Sequence, residues 1–222
     1  MEACSSQSIH MVSNINTVET SSRSLFCQKG KAYFKQERGQ IVRVNLDTFE
    51  EVVLDKLADN IADFLVDENQ TITYLTSQGE LRQENPDNSS IPKTCVNLKT
   101  DSTTGAEWHS ILKLRDHIIC NYYKSTPTKH NTLILLNEES DEPNSLKVCQ
   151  YLQMNVHFFT PPKESKHHSH QDPKIYKMTA AEVRGVAFIL APVYLGSLEV
   201  LTINRDKLIR VKTLECTESS LL

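Results

Sequence analysis

His167, His168 and His170 stand together as HHSH, with Asp172 just beyond. Imidazoles at that spacing are the ligand type that zinc, copper or nickel takes. A metal centre also needs its ligands held in fixed geometry by supporting hydrogen bonds. The surrounding segment, PPKESKHHSHQDPK at 161–174, is polar and bounded by proline. It reads as an exposed insertion loop, so no metal and no other cofactor is assigned. His109, His117, His130 and His157 are isolated. GxSxG, HExxH, the P-loop and GxGxxG are all missing, and no catalytic residue is assigned. Glu138-Glu139-Ser140-Asp141-Glu142 lacks the alternating ligands and central glycine of a calcium loop. It reads as a solvated charge run.

Three arginines remain. Arg43, Arg82 and Arg210 each follow a Val, Leu or Ile near the end of a short strand-like run. If those runs belong to equivalent repeats, the arginines fall at one radius and line a surface suited to an acidic peptide or a phosphate backbone. They are the candidate partner-binding residues. The competing expectation is that each pairs with a neighbouring carboxylate.

The chain has 222 residues, 23% of them charged and 39% hydrophobic, with a formal charge of -4. Its mean hydropathy is -0.40. It is long enough to bury a core. Its small negative charge gives no whole-surface support for nucleic-acid binding. No apolar run reaches the roughly 18 residues of a membrane span. Cys4, Cys27, Cys95, Cys120, Cys149 and Cys216 are scattered without a CxxC pair, and MEACSSQSIHMVSN has no secretory pattern. Reduced thiols inside a cell, in cytoplasm or nucleus, are expected. Cys27, Cys120 and Cys149 lie in strand-like runs and are expected to be small buried hydrophobes.

The elements that would position these residues are short and β-rich. NIADFLVDENQTITYLTSQGELRQ, 60–83, is the clearest: three runs separated by Asp67–Gln70 and Ser77–Gly79. That pattern predicts an antiparallel meander. SLFCQ, KAYFKQ, IVRVNL and EVVLDKL predict four more strands, the last preferred over a helix from Asp47 to Ala58 because of Val52-Val53. Runs at 93–98, 108–114, 117–124, 132–136, 147–152, 156–160, 185–190, 197–203 and 207–214 continue the series, with Ile175 to Met178 short and extended.

The runs repeat. HSILKLRD-HIICNYY-TLILLNEE and VAFILAP-SLEVLTI-KLIRV both follow the 61–83 template, and ERGQIVRVNL matches NRDKLIRVKTL. A four-stranded unit of about 40–50 residues is the period of propeller blades. Such a sheet buries its faces only by stacking on neighbours. IVRVNLDTFEEVV resembles the third-to-fourth-strand passage of a WD40-like β-propeller, although the family's Gly-His and Trp-Asp signatures are missing. The resemblance implies an all-β fold of four-stranded antiparallel repeats, either four to five blades or part of a larger propeller. A β-sandwich is the alternative. Residues 23–215 form the repeat domain, with flexible segments expected at 1–22 and 216–222.

The function expected from this architecture is an interaction scaffold or complex subunit, not an enzyme. Its partners would be other proteins, held by blade edges and the loops at 84–92, 137–145 and 161–174. An enzyme with a pocket at the ring centre and a nucleic-acid-associated subunit are the alternatives. No small-molecule substrate is indicated.

Overall fold

The computed structural model describes residues 25–36, 39–54, 57, 60–87, 93–138, 146–155, 174–175, 177–193 and 197–215. The segments 1–22 and 216–222, the run 156–160, the HHSH histidines and most of the three long loops lie outside them.

The described strands form four antiparallel sheets, each a meander of four consecutive strands. Blade 1 contains β1 (Leu25–Gln28), β2 (Lys31–Lys35), β3 (Ile41–Asn45) and β4 (Glu51–Val53). Blade 2 contains β5 (Ile61–Val66), β6 (Ile72–Thr76), β7 (Glu80–Glu84) and β8 (Lys93–Asn97). Blade 3 contains β9 (Glu107–Leu114), β10 (His117–Lys124), β11 (His130–Glu138) and β12 (Leu146–Asn155). Blade 4 contains β13 (Thr179–Val183), β14 (Val186–Val193), β15 (Ser197–Asn204) and β16 (Lys207–Glu215).

The first strands touch in series, β1 on β5, β5 on β9 and β9 on β13. The last strands do likewise from β8 to β12 to β16. The sheets therefore stack face to face along an arc, first strands inside. Strand β10 shows why the sequence folds this way. Successive side chains of a strand point to opposite faces. Ile118, Cys120 and Tyr122 pack towards blade 2, while Ile119 packs towards blade 4. A strand buried on both faces carries a near-continuous apolar run, and Ile118 to Tyr123 is one, interrupted only by the buried Asn121.

Three cores result. Tyr33 and Ile41 of blade 1 meet Phe64, Ile72 and Tyr74 of blade 2. Leu75, Leu81 and Leu98 meet Trp108, Ile111 and Ile134. Leu133, Leu135 and Met154 meet Ile189, Ala191 and Leu201.

A short strap just before β13 ties the arc together. Lys174 Nζ donates to Glu107 Oε2 of β9 at 2.6 Å. Ile175 N donates to Asn131 Oδ1 at 3.0 Å, and Ile175 O accepts from Asn121 Nδ2. Ile175 also bridges to Val193 of β14. Lys177 Nζ donates to both carboxylate oxygens of Asp63 on β5, at 3.0 and 2.9 Å. The same ammonium lies 5.7 Å from the centre of the Phe26 ring on β1. The strap thus reaches all four blades.

Several expectations change. Thr179–Val183 is a strand that the pattern did not suggest, because all five of its residues are exposed. The repeat alignment of the last unit therefore slips by one strand: VAFILAP, SLEVLTI and KLIRV are the second, third and fourth strands of their blade. Pro192 ends a strand rather than opening a turn.

Of the three cysteines expected in the core, Cys120 is buried, but Cys27 and Cys149 are exposed. Cys27 lies on blade 1's inner strand. Cys149 is the extra residue of a bulge, since Leu135 pairs with Gln150 and Leu136 with Val148. Burial drives the Cys120 thiol far above its ordinary pKa. Partial burial, and then the Asp206 carboxylate, raise that of Cys149. In the native protein, iodoacetamide should modify Cys27 and Cys149 at least about a hundredfold faster than Cys120. Peptide mass spectrometry after timed labelling reads this directly, and equal labelling of the three would contradict the packing of blade 3.

Candidate functional site

Arg43, Arg82 and Arg210 do not converge. Arg43 is on β3 and Arg82 on β7, both third strands, whereas Arg210 is on β16, a fourth strand. Each meets a carboxylate. Arg43 Nη1 donates to Asp87 Oδ1 at 2.7 Å. Arg82 Nη2 donates to Glu80 Oε2 at 2.5 Å, and Arg210 Nε lies 3.2 Å from Glu199 Oε2. The Arg43 guanidinium holds the Asp87 carboxyl below the usual range. Asp87 is half exposed, so this pair is worth little to stability.

A different group of basic residues gathers at one end of the blades. In a four-stranded meander the first-to-second and third-to-fourth turns lie at the same end. Four such turns are two-residue hairpins: Lys29-Gly30, Arg115-Asp116, Arg184-Gly185 and Arg205-Asp206. Each opens on a long cation in the left-handed region, with φ of 48° at Lys29, 54° at Arg115, 52° at Arg184 and 48° at Arg205. Tight hairpins favour Gly, Asn or Asp at such positions, and another L-residue costs about 1–2 kcal/mol there. The sequence signal was present as Arg-Asp and Arg-Gly dipeptides between strands. It went unused because turn dipeptides read first as punctuation.

The three arginines among these four residues belong to blades 3 and 4. Between those blades the turn end forms a cleft of about 370 Å³. Leu114, Val186, Ala187 and Ile203 give it apolar lining, and Arg115, His117, Thr202, Arg205 and Asp206 its polar lining. His117 Nε2 and Asp206 Oδ1 are 2.6 Å apart across the blade boundary. Asn137 Nδ2 donates to the same oxygen at 3.3 Å. Arg115 Nη2 reaches from blade 3 to Gly185 O at 3.2 Å. A histidine beside a carboxylate in a cleft is the arrangement of a general base. The nearby hydroxyl, Thr202 Oγ1, instead donates to Ala187 O at 2.9 Å, so it is turned to the sheet. Of the described isolated histidines, His117 alone lines this cleft; His130 Nδ1 lies 2.7 Å from Thr128 O. Among the described residues no group of three or more His, Cys, Asp or Glu is placed to hold a metal ion. None of their helices is long and apolar enough to cross a membrane.

The other distinctive surface is the outward sheet of blade 4. Ile189, Ala191, Leu201 and Leu208 turn inward, which sends Phe188, Leu190, Leu198, Val200 and Ile209 to the opposite face. There Val183 is 55% exposed, Ile209 42% and Leu214 40%.

No protein-family model matches the chain, and no curated protein matches it in sequence. Solved structures do match in shape. The N-terminal domain of Nup159 aligns with a TM-score of 0.55 at 12% identity, over 86% of this chain and 52% of that one. The Cps50 (Swd1) β-propeller domain of Myceliophteria thermophila aligns with a TM-score of 0.54 at 6% identity, over 88% of this chain and 60% of that one. A third match, with a TM-score of 0.52 at 12% identity, is a chain in the structure of an S. cerevisiae Dbp5 variant bound to Nup159, a Gle1 variant, IP6 and ADP, covering 86% of this chain and 51% of that one. The chain thus spans about half to three-fifths of the length of these structures. The described residues fold as a β-propeller arc of four consecutive blades, the architecture that the repeats imply.

Proposed function

We propose that this protein is an interaction module, a subunit that docks another polypeptide against blade 4. The observation that carries this reading is the open condition of that blade. All five residues of β13 are exposed, whereas the equivalent strands β5 and β9 each bury three residues, of six and of eight. Its outward face carries the half-buried Phe188, Leu190, Leu198 and Val200 and the exposed Ile209 at alternating positions. That is the composition by which blades 1 to 4 pack on each other. An exposed apolar sheet face of this kind marks an interaction site.

The expected occupant is a β-sheet of a partner protein with a matching apolar face, which would continue the stack. Two observations support it: the chain spans only part of each similar propeller, and one of those propellers is seen in an assembly with Dbp5 and Gle1.

Ile209→Glu with Leu214→Glu tests the reading. Both side chains are exposed, so folding should be unaffected. Two carboxylates buried against an apolar partner should weaken docking at least about a hundredfold. A photo-crosslinking residue at Leu214 in the full chain should capture a partner strand in cells, and the double substitution should abolish that product. Capture of the same product by the substituted protein would refute docking at this face, as would crosslinks that never reach another polypeptide.

A further inference from the structure

The cleft at the turn end of blades 3 and 4 is a separate surface, with a different chemistry. Its rim carries Arg115 and Arg205, with Arg184 on the adjoining turn. Among the described residues neither Arg184 nor Arg205 has an ion-pair or hydrogen-bond partner. Arg115 holds a backbone carbonyl, and the Glu182 carboxylate is 4.0 Å away with both side chains 61% exposed. The acidic group inside the cleft is already committed: Asp206 Oδ1 faces His117 and accepts from Asn137. Arginine is costly at each of these left-handed turn positions, where glycine or asparagine would fit without strain. Local strain of this kind collects at functional positions. The protein's charge of -4 makes the cationic rim a local feature rather than a share of a basic surface.

We propose that this cleft binds an acidic peptide segment. A carboxylate side chain would sit on the guanidiniums of Arg115 and Arg205, the residue type suited to planar, two-pronged recognition of carboxylates. A neighbouring aliphatic side chain would lie on Leu114, Val186, Ala187 and Ile203. The volume fits one such side chain and its backbone, at the lower end of ordinary ligand sites. The apolar floor favours peptide over nucleic acid. A groove for single strands presents rings free for base stacking; among the described lining residues there is no Phe, Tyr or Trp, and the one ring, His117, is held against Asp206.

The strained turns supply a clean test. Glycine adopts positive φ without penalty, so Arg115→Gly and Arg205→Gly should keep the hairpins and leave the melting temperature unchanged or raised. Binding is measured by calorimetry with a capped octapeptide of alternating Glu and Leu, its Gln/Leu counterpart, and an oligothymidylate. The Glu/Leu peptide should bind, more weakly at high salt. Each glycine substitution should weaken it about tenfold or more, and the Gln/Leu peptide should bind correspondingly less. Unchanged affinity in the folded Arg115→Gly and Arg205→Gly proteins would overturn the proposal. So would equal binding of the Gln/Leu peptide, or binding of the oligothymidylate alone. Docking at blade 4 uses other residues, so either reading survives failure of the other.

Discussion

Asp63→Ala should destabilise the protein by about 3 kcal/mol, which for a chain of this size lowers the melting temperature by about 6–12 °C. Asp63 is 2% exposed. It accepts the Ile111 backbone N–H at 2.9 Å and both contacts from Lys177. Lys35 is close as well, donating to the neighbouring Ala62 carbonyl at 2.6 Å. Burial pushes the Lys35 amine down, Lys177 adds to that, and the Asp63 charge opposes both. Removing the carboxylate leaves the Ile111 N–H without this acceptor and deprives Lys177 of a counter-charge. Breaking a buried pair costs about 3–5 kcal/mol. The lower end applies because the Lys177 side chain keeps 30% of its surface in water. Asp63→Asn should cost less, since an amide oxygen can still accept from Ile111. Lys177→Met alone takes its principal counter-charge from the buried carboxylate. Combined with Asp63→Ala, it should therefore cost less than the two single losses summed. Urea denaturation of the four variants measures this cycle, and an unchanged midpoint for Asp63→Ala would remove Asp63 from the centre of the fold.

Gly79→Ala is expected to be about as damaging, at roughly 3–4 kcal/mol, for an unrelated reason. Gly79 turns β6 into β7 with φ of +83°. Its N–H donates to Thr76 O at 3.0 Å and its carbonyl accepts from Leu98 at 2.8 Å, so the turn is held from both sides. A Cβ at this position would lie 2.6 Å from Cε2 and Cζ2 of Trp108. That ring is 7% exposed and packs 5.0 Å from the Tyr122 ring, centre to centre. It cannot yield without opening the core between blades 2 and 3. Positive φ costs about 1–2 kcal/mol for an L-residue, and overpacking adds about 1–3 kcal/mol. Gly105→Ala separates the two contributions. It has φ of +75° but nothing within 4 Å of an added Cβ, so it should cost only about 1–2 kcal/mol. Trp108 reports the difference: its emission should shift to the red in Gly79→Ala and not in Gly105→Ala. A normal spectrum and melting temperature in Gly79→Ala would show that the ring is free to move.

The sheets were legible because their strands obey a period of two. β5 to β7 and β9 to β11 could be placed from alternating apolar residues and from turns such as Ser77–Gly79. β13 could not. Thr-Ala-Ala-Glu-Val has no buried residue in this chain, so no hydrophobic pattern marks it. That omission moved the whole last repeat by one strand, and it put Arg210 level with Arg43 and Arg82. The role of Asp63 was illegible for the opposite reason. One aspartate within an apolar strand means little until Lys177, 114 residues later, is known to lie beside it. The turn arginines sit between. Their dipeptides were visible, but only the shared meander topology shows that Arg115 and Arg205 rim one cleft, with Arg184 on the adjoining turn.

The strap before β13 has a further consequence, for how the protein comes apart. Repeat folds ordinarily couple only to nearest neighbours, so their units can open one at a time. Here Lys174, Ile175 and Lys177 join blade 4 to blades 1, 2 and 3 at once. Fraying of any inner strand must first release this clasp. The four blades should therefore exchange their slowest amide protons with one common free energy, as a single cooperative unit rather than a ladder of four. During synthesis the first three blades would stay only loosely joined until residue 177 leaves the ribosome, and the protein would gain its cooperativity late, in one step.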